Sequence, residues 1–458
     1  MNLKALKHIY FLGIGGIGMS AIARWFIANG YALAGYDKTA TPLTNALQAE
    51  GIAVHFTDDV NEIPAEYLAN PAETLVVYTP AIPKDHKEFN YLKDNGFTLM
   101  KRSQVLGLLT ESFFTIAVSG THGKTTTSSM VSHILKNAGK NVTAFLGGIT
   151  QNYGTNFLIN ESPDNVICVV EADEFDRSFL TLFPDLTIVT STDADHLDIY
   201  GDHSQLLESF QLFVSQLKDG GKLYQRKGLN LQGFTKNQSA EYSLNEGDFY
   251  AKNLRIENAE MVFDIIYPNG IIKDCTLLTP GFHNVENALA ATAVALEVGL
   301  SPEQIKEGIC TFGGVKRRFE YHVRSEKVVY IDDYAHHPTE IQAFLSSVKA
   351  LYPTRKLTVI FQPHLFTRTR DFQEGFAESL SLADDLILLD IYPARELPIE
   401  GVTSDIIFEK VTSPTKVLCT KDDVMAIIEE KQPELIVSVG AGDIDTLIPK
   451  IREWGNGR

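Results

Sequence analysis

The chain has 458 residues, of which 44% are hydrophobic and 21% charged, the balance of an ordinary globular protein. A formal net charge of −18 excludes non-specific binding to nucleic acid or an anionic membrane, which needs a basic face, but it leaves room for a local basic pocket. The four cysteines, Cys168, Cys275, Cys310 and Cys419, form no CxxC pair, which argues against a zinc site or disulfide framework and fits a reducing, cytoplasmic setting.

Lys4 and Lys7 precede an apolar run from Ile9, and Ala21-Ile22-Ala23 has the small-residue spacing of a signal-peptidase site. The glycines inside that run and the helical pattern after it favour a folded domain over a leader. No apolar run reaches the roughly 20 residues of a membrane span. Residues 8–107 predict strands over His8–Leu12, Ala32–Tyr36 and Thr74–Tyr78 and a helix over Gly18–Asn29. That alternation is the pattern of a parallel sheet with helices on both faces. The next unit opens with a strand over Phe114–Val118, a Gly-rich turn and a helix over Ser128–Asn137. Strands over Asn165–Val170 and Leu186–Thr190 each run into acidic residues. Residues 222–280 alternate in short polar segments, and Asn269-Gly270 is a hairpin signal, so an antiparallel patch on the same domain is expected. A helix over His283–Val298 follows. Strands over Val328–Ile331, Lys356–Phe361, Asp385–Asp390 and Leu435–Val439 then alternate with helices. The expected fold class is α/β in three domains: Rossmann-like over 1–107, a mixed sheet of the P-loop ATPase kind over 108–314, and Rossmann-like over 315–458.

Gly120-Thr121-His122-Gly123-Lys124-Thr125-Thr126-Thr127 follows a strand and opens a helix, the setting of a phosphate-binding loop. Backbone N–H groups cradle phosphate there, Lys124 reaches the β- and γ-phosphates, and the Thr125 hydroxyl suits Mg2+. Val118 stands where the general motif has its first glycine. Glu171-Ala172-Asp173-Glu174 and Asp193-Ala194-Asp195-His196-Leu197-Asp198 follow the next two strands. Carboxylates at strand tips beside a phosphate loop suit a hard cation, Mg2+ or Mn2+, and His196 among them suggests a second metal contact. Gly13-Ile14-Gly15-Gly16-Ile17-Gly18 matches GxGxxG, with Asp37 at the end of the next strand. Glycines let a backbone approach a pyrophosphate and the acid can accept a ribose hydroxyl; NAD(H), FAD and a nucleotide-diphosphate sugar all satisfy that pattern. Asp332–Glu340 and Phe361–Arg370 cluster His, Tyr and Arg at strand tips, where arginine suits a carboxylate or phosphate.

These stretches, together with Gly281-Phe282-His283-Asn284-Val285-Glu286-Asn287 and Lys316-Arg317-Arg318-Phe319, make the chain resemble the Mur ligases of peptidoglycan precursor synthesis over essentially its whole length. Asp332–Glu340 and Phe361–Arg370 look like the branch of that family that adds L-alanine. The resemblance implies an ATP-dependent ligase that joins L-alanine to the lactyl carboxylate of UDP-N-acetylmuramate through an acyl phosphate, giving ADP and phosphate. It places Gly15, Gly16 and Gly18 on the sugar diphosphate, Asp37 on the uridine side and Thr79 near a metal. His283 and Asn287 are implied at the adenine and Arg318 at the nucleotide phosphates across a hinge. Tyr334, His337 and Arg368 are implied near the amino acid, with His337 helping to deprotonate its ammonium group. Lys124, Glu171 and His196 would act on the transferring phosphoryl group, with Thr125, Glu171 and His196 on Mg2+.

The chain departs from the family in three places. Residues 197–217 hold no lysine where many relatives have a carbamoylated one, with Phe210 and Phe213 in that stretch. Ser191 follows Thr190 where relatives often have asparagine, and Leu365 stands where some L-alanine-adding relatives have arginine. The partners implied are small molecules alone, on a monomer or homodimer. Three rivals are a relative that attaches a whole murein tripeptide to the same sugar, a nicotinamide-dependent dehydrogenase, and a nucleotide-binding regulator without catalysis. The dehydrogenase leaves Gly120–Thr127 and both acidic motifs unexplained. Lys124, Glu171 and His196 argue against the regulator.

Overall fold

The computed structural model describes residues 3–194, 200–235, 238–394 and 396–458. They form two compact units, Met1–Phe249 with Ala290–Gly308, and Tyr250–Leu289 with Ile309–Arg458. No helix among the described residues is long and apolar enough to cross a membrane.

The first unit opens with β1 (His8–Leu12), β2 (Ala32–Tyr36), β3 (Ala53–His55), β4 (Thr74–Tyr78) and β5 (Thr98–Lys101), arranged β3-β2-β1-β4-β5. Every pairing is parallel. Ile9, Tyr10, Phe11 and Leu12 are fully buried, as a central strand between two helical layers requires. The chain winds outward from β1 to β3 and then returns to β4 on the other side. The carboxyl ends of β1 and β4 therefore flank the switch point where such sheets bind ligands. β3 and β5 escaped the sequence reading because they are short and partly exposed edge strands.

The second sheet of this unit contains β6 (Phe114–Ser119), β7 (Val142–Phe145), β8 (Phe157–Leu158), β9 (Ile167–Glu171), β10 (Leu186–Val189), β11 (Lys222–Arg226) and β12 (Ser239–Ser243). Their order is β12-β11-β10-β6-β9-β7-β8. β10 and β9 pair with β6 in parallel from either side, so three strand tips meet around the turn after β6. The helix after that turn starts at Lys124, earlier than the expected Ser128. Thr125, Thr126 and Thr127 are weak helix formers, but all three are buried, and packing overrides propensity.

In the second unit β13 (Phe249–Glu257), β14 (Glu260–Tyr267) and β15 (Gly270–Leu277) form an antiparallel meander. The expected antiparallel patch thus begins only at β13, since β11 and β12 pair in parallel. Asn258 and Ala259 turn β13 into β14 with φ of 53° and 56°, a left-handed pair without glycine. At the next turn Tyr267 pairs with Gly270, so Pro268-Asn269 are the central residues and the Asn-Gly signal sits one residue late. The meander is tied to the C-terminal sheet by Arg324, which donates to the Asn258 carbonyl at 2.9 Å, and by the Phe282 N–H on Ser347 Oγ at 3.2 Å. That sheet contains β16 (Glu320–Arg324), β17 (Val329–Asp333), β18 (Leu357–Phe361), β19 (Asp385–Leu389), β20 (Thr415–Cys419) and β21 (Leu435–Val439). The order is β16-β17-β21-β18-β19-β20, parallel except for β16.

Candidate active site

The turn after β6 is built to present backbone. Gly120 has φ of +133°, and a Cβ there would overlap Thr190 Oγ1 and lie 2.7 Å from the Ser191 nitrogen, so only glycine fits. Gly123 caps the following helix in the left-handed region at φ 80°. The tip of β10 splints the turn. The His122 N–H donates to Ser191 Oγ at 2.8 Å, and that hydroxyl pairs with Thr121 Oγ1 at 2.8 Å. Thr121 Oγ1 in turn accepts the Asp193 N–H at 3.0 Å, and His122 Nε2 lies 3.2 Å from Asp193 Oδ2. Ser191, which departs from the family's common asparagine, therefore holds two residues of the turn.

Lys124 Nζ donates to Gly120 O at 2.6 Å and to both oxygens of Glu174 at 2.9 and 2.7 Å. Burial works against its charge, but Glu174, Asp173 and Glu171 outweigh burial and hold the ammonium above its ordinary pKa. Burial pushes the Glu174 carboxyl upward, and the Lys124 ammonium, bonded to both of its oxygens, opposes that shift. Glu171, at the tip of β9, accepts the Gly147 N–H at 3.1 Å. A Cβ on Gly147 would overlap that carboxylate. Thr125 lies in the first helical turn and is buried. Glu171, Asp173 and Glu174, at and just beyond the tip of β9, are close enough to raise the Lys124 pKa, and carboxylate oxygens are the donors a hard divalent cation takes, although the described residues alone assemble no group of three metal-binding side chains. His196, Asp195 and Asp198 lie outside the described residues.

The turn after β1 is organised differently. The Gly15 N–H donates to Asp37 Oδ2 at 2.7 Å, and Asp37 Oδ1 accepts the Thr39 N–H at 3.1 Å. Asp37 thus fixes the glycine loop itself, a role the sequence did not suggest. A Cβ on Gly13 would lie 2.5 Å from the Thr79 methyl, so the turns after β1 and β4 touch at the switch point. Asn156, fully buried after β7, donates to Ile17 O at 2.5 Å and Ser20 Oγ at 3.1 Å. That amide anchors the second sheet to the helix Ile17–Ala28.

The second unit gathers His283, Arg318, Tyr334 and Glu340. Tyr334 lies between two guanidinium groups, 5.2 Å from Arg317 and 5.1 Å from Arg318. Buried Asp333 fastens this turn by accepting the Phe319 N–H at 2.7 Å and the Ala335 N–H at 2.8 Å, and burial pushes its carboxyl up to about 6 despite Arg318. Burial, then Arg318, pushes His283 down to about 4, so its ring is neutral at pH 7. Its Nδ1 is buried with no hydrogen-bond partner among the described residues. Asn287, one helical turn on, donates to Asn284 Oδ1 at 3.1 Å. His337 caps the helix Pro338–Leu351, with Nδ1 accepting the Thr339 N–H at 3.3 Å. That contact uses the Nδ1 lone pair as an acceptor. The ring packs edge-on to Phe372 at 4.8 Å, whose N–H donates to Arg368 O at 3.0 Å. Arg368 is buried, and Leu365 holds a left-handed φ of 70° just before its helix.

Three family models match in order: the Mur ligase family catalytic domain over residues 8–114, the Mur ligase middle domain over 118–295, and the Mur ligase glutamate ligase domain over 317–442. The UDP-N-acetylmuramate–L-alanine ligase of Phocaeicola vulgatus is 49% identical over 454 residues, 98% of either chain. That of Flavobacterium johnsoniae is 48% identical over 457 residues, covering 100% of this chain and 99% of its own. This chain belongs to the Mur ligase family. The crystal structure of UDP-N-acetylmuramate-alanine ligase from Thermotoga maritima superimposes with a TM-score of 0.82 at 27% identity, over 98% of this chain and 100% of that one. A murein peptide ligase from Psychrobacter arcticus, at 23% identity and a TM-score of 0.68, shares the fold.

Within this Mur ligase the first unit brings together Gly120–Thr127 and Glu171, and separately Gly13–Gly18, Asp37 and Thr79. The second unit joins Arg318 to Tyr334 and sets His283 within the electrostatic reach of Arg318 and Glu340. Sequence reasoning missed Glu174 as the Lys124 partner, although it stood inside the quoted acidic motif. It flagged Ser191 only as a departure, held Asp333 within Asp332–Glu340 without a role, and gave no signal for Asn156.

Proposed function

We propose that this Mur ligase joins L-alanine to the lactyl carboxylate of UDP-N-acetylmuramate, consuming ATP and releasing ADP and phosphate. The single observation that carries the chemistry is the phosphate turn of Gly120–Lys124 set among the carboxylates at the tips of β9 and β10. The full-length relatives supply the substrates. The reading divides the chain into three domains at 107/108 and 314/315, for the UDP-sugar, ATP with Mg2+, and the amino acid, and it puts the reaction in the cytoplasm, where nucleotide-activated sugars and ATP meet.

A lactyl oxygen attacks the γ-phosphorus, ADP leaves, and the acyl phosphate is then attacked by the alanine nitrogen, which loses a proton as phosphate departs. All three Lys124 N–H donors are spent on Glu174 and Gly120, so contact with a phosphate oxygen requires Lys124 to exchange at least one of them. Ser191, accepting the Thr121 and His122 amides, and Thr190, donating to the Ser119 carbonyl, hold the turn in place before nucleotide arrives, which lowers the ordering cost of binding. Thr125, Glu171 and His196 would hold Mg2+, which when bound neutralises charge on the transferring phosphoryl group. Neutral His283 and Asn287 suit the adenine, and Arg318 suits the nucleotide phosphates. Tyr334, His337 and Arg368 suit the amino acid. Asp37, by fixing Gly15, shapes the sugar-diphosphate loop.

Phosphate release is the direct test, with ATP, Mg2+ and UDP-N-acetylmuramate and with L-alanine, glycine, L-serine or murein tripeptide added one at a time. Release that needs the sugar and L-alanine, with a product heavier by one alanyl residue, is expected. Release with the tripeptide alone would move the assignment to the recycling reaction.

A further inference from the structure

In a dinucleotide-binding turn the last glycine usually lets the helix pack close to its strand. Gly18 has a different neighbour. A Cβ there would fall 2.7 Å from Arg102 Nη1, 3.2 Å from Cδ and 3.3 Å from Cζ. Arg102 opens the helix Arg102–Thr110 directly after β5, and its guanidinium lies against the first turn of the helix Ile17–Ala28. The glycine is there to admit a cation.

That cation is held without being used. The nearest acid, Asp173 Oδ2, is 3.7 Å from Arg102 Nη2, beyond hydrogen-bond distance. The guanidinium makes no hydrogen bond among the described residues, although its side chain is only 21% exposed. Its neighbours are spent: Lys101 donates to Asp176 at 2.9 Å, and Arg24 donates to Glu50 at 2.9 Å and to Asn156 at 2.5 Å. Arg102 also lines a cavity with Glu171, Asp173 and Ser178. A planar fork of donors, partly desolvated and immobilised beside a helix N-terminus, is costly unless an anion completes it. The glycine loop cannot supply that charge, because Gly13–Gly18 carries no ionisable side chain and the Gly15 N–H is committed to Asp37.

We infer that Arg102 binds the diphosphate of the UDP-sugar, supplying the positive charge that the glycine loop lacks. The inference rests on the UDP-sugar assignment of the first turn. It makes Arg102 a substrate-binding residue and Gly18 the residue that admits it.

Equilibrium binding by calorimetry on the full chain tests this with two ligands, UDP-N-acetylmuramate and UDP-N-acetylglucosamine. Both carry the diphosphate, and only the first carries the lactyl carboxylate. Arg102→Ala is expected to weaken both by the same factor, about 10- to 100-fold, with Arg102→Lys recovering part of the loss and the KM for ATP unchanged. Gly18→Ala is expected to weaken both ligands in the wild-type background and to add little on top of Arg102→Ala, which keeps the test open should one variant fold poorly. Loss confined to UDP-N-acetylmuramate would overturn the inference by assigning the cation to the carboxylate. Unchanged binding with a fall in kcat would overturn it by making Arg102 a support for Asp173. Failure of the wild type to bind either sugar would instead remove the UDP-sugar assignment.

Discussion

Both glycine turns of the first unit leave the carboxyl end of a central parallel strand and open a helix, yet their charge comes from different places. After β6 the cation is part of the turn: Lys124 sits on Glu174 and Gly120 O, and Ser191 and Thr190 splint the backbone from the neighbouring strand tip. After β1 the turn is neutral. Asp37 fixes Gly15, and the nearest guanidinium, Arg102, arrives from a helix far along the chain. A turn that carries its own cation declares its ligand in a short motif. A turn that borrows one leaves several ligands open until the fold is known.

If the turn after β6 depends on its internal cation, Lys124→Ala should lower phosphate release by at least about 1000-fold. It should also lower the melting temperature, because Glu174 would remain buried without its partner, a loss of about 3–5 kcal/mol. Adding Glu174→Gln should recover stability but not turnover, and recovery of turnover would contradict the comparison. Gly120→Ala, forced against Thr190 and strained at positive φ, should cost about 100-fold in kcat/KM for ATP while leaving UDP-sugar binding intact. Asp37→Ala should do the opposite, raising the KM for the UDP-sugar about 10-fold with the KM for ATP unchanged, as loss of a charged hydrogen bond would. Equal changes in both constants would erase the distinction between the turns. Ser191→Ala should raise the KM for ATP by about 5-fold, the effect of one lost splint of about 1 kcal/mol.

The smallest effect on turnover is expected beneath the first turn. Burial pushes Glu88 up to about 7, against hydrogen bonds from Tyr10 at 2.6 Å and the Asp59 N–H at 3.2 Å. The unfolded carboxyl titrates near 4.3, so the folded state holds the proton more tightly. Its contribution to stability is full below about pH 4 and is lost as pH rises through about 7, a swing of up to roughly 4 kcal/mol. Glu88→Gln should flatten the melting-temperature profile between pH 5 and 8 with kcat unchanged. A profile that keeps the wild-type slope would show that Glu88 is not its source.

The central strands were legible because their apolar runs are short, continuous and buried on both faces, as in His8–Leu12 and Leu435–Val439. β3, β5, β16 and β20 were not, because edge strands with mixed burial carry little periodic signal. The Gly120–Thr127 turn and Glu171 stood out because spacing and chemistry coincide locally. Asp37 was legible as an acid at a strand end but not as the anchor of Gly15. Asn156, Ser191 and Arg102 act on residues distant in the chain, and no local pattern marks such partners. His337 was visible as a histidine at a strand-tip turn, while its capping role emerged only with the helix that follows.

Isotope transfer tests the ligase chemistry most directly. UDP-N-acetylmuramate labelled with 18O in its lactyl carboxylate should deliver one labelled oxygen to the phosphate released in the presence of ATP and L-alanine, because the acyl phosphate oxygen leaves with phosphorus. Released phosphate without label, under conditions where the alanyl product accumulates, would contradict activation of the carboxylate by phosphoryl transfer.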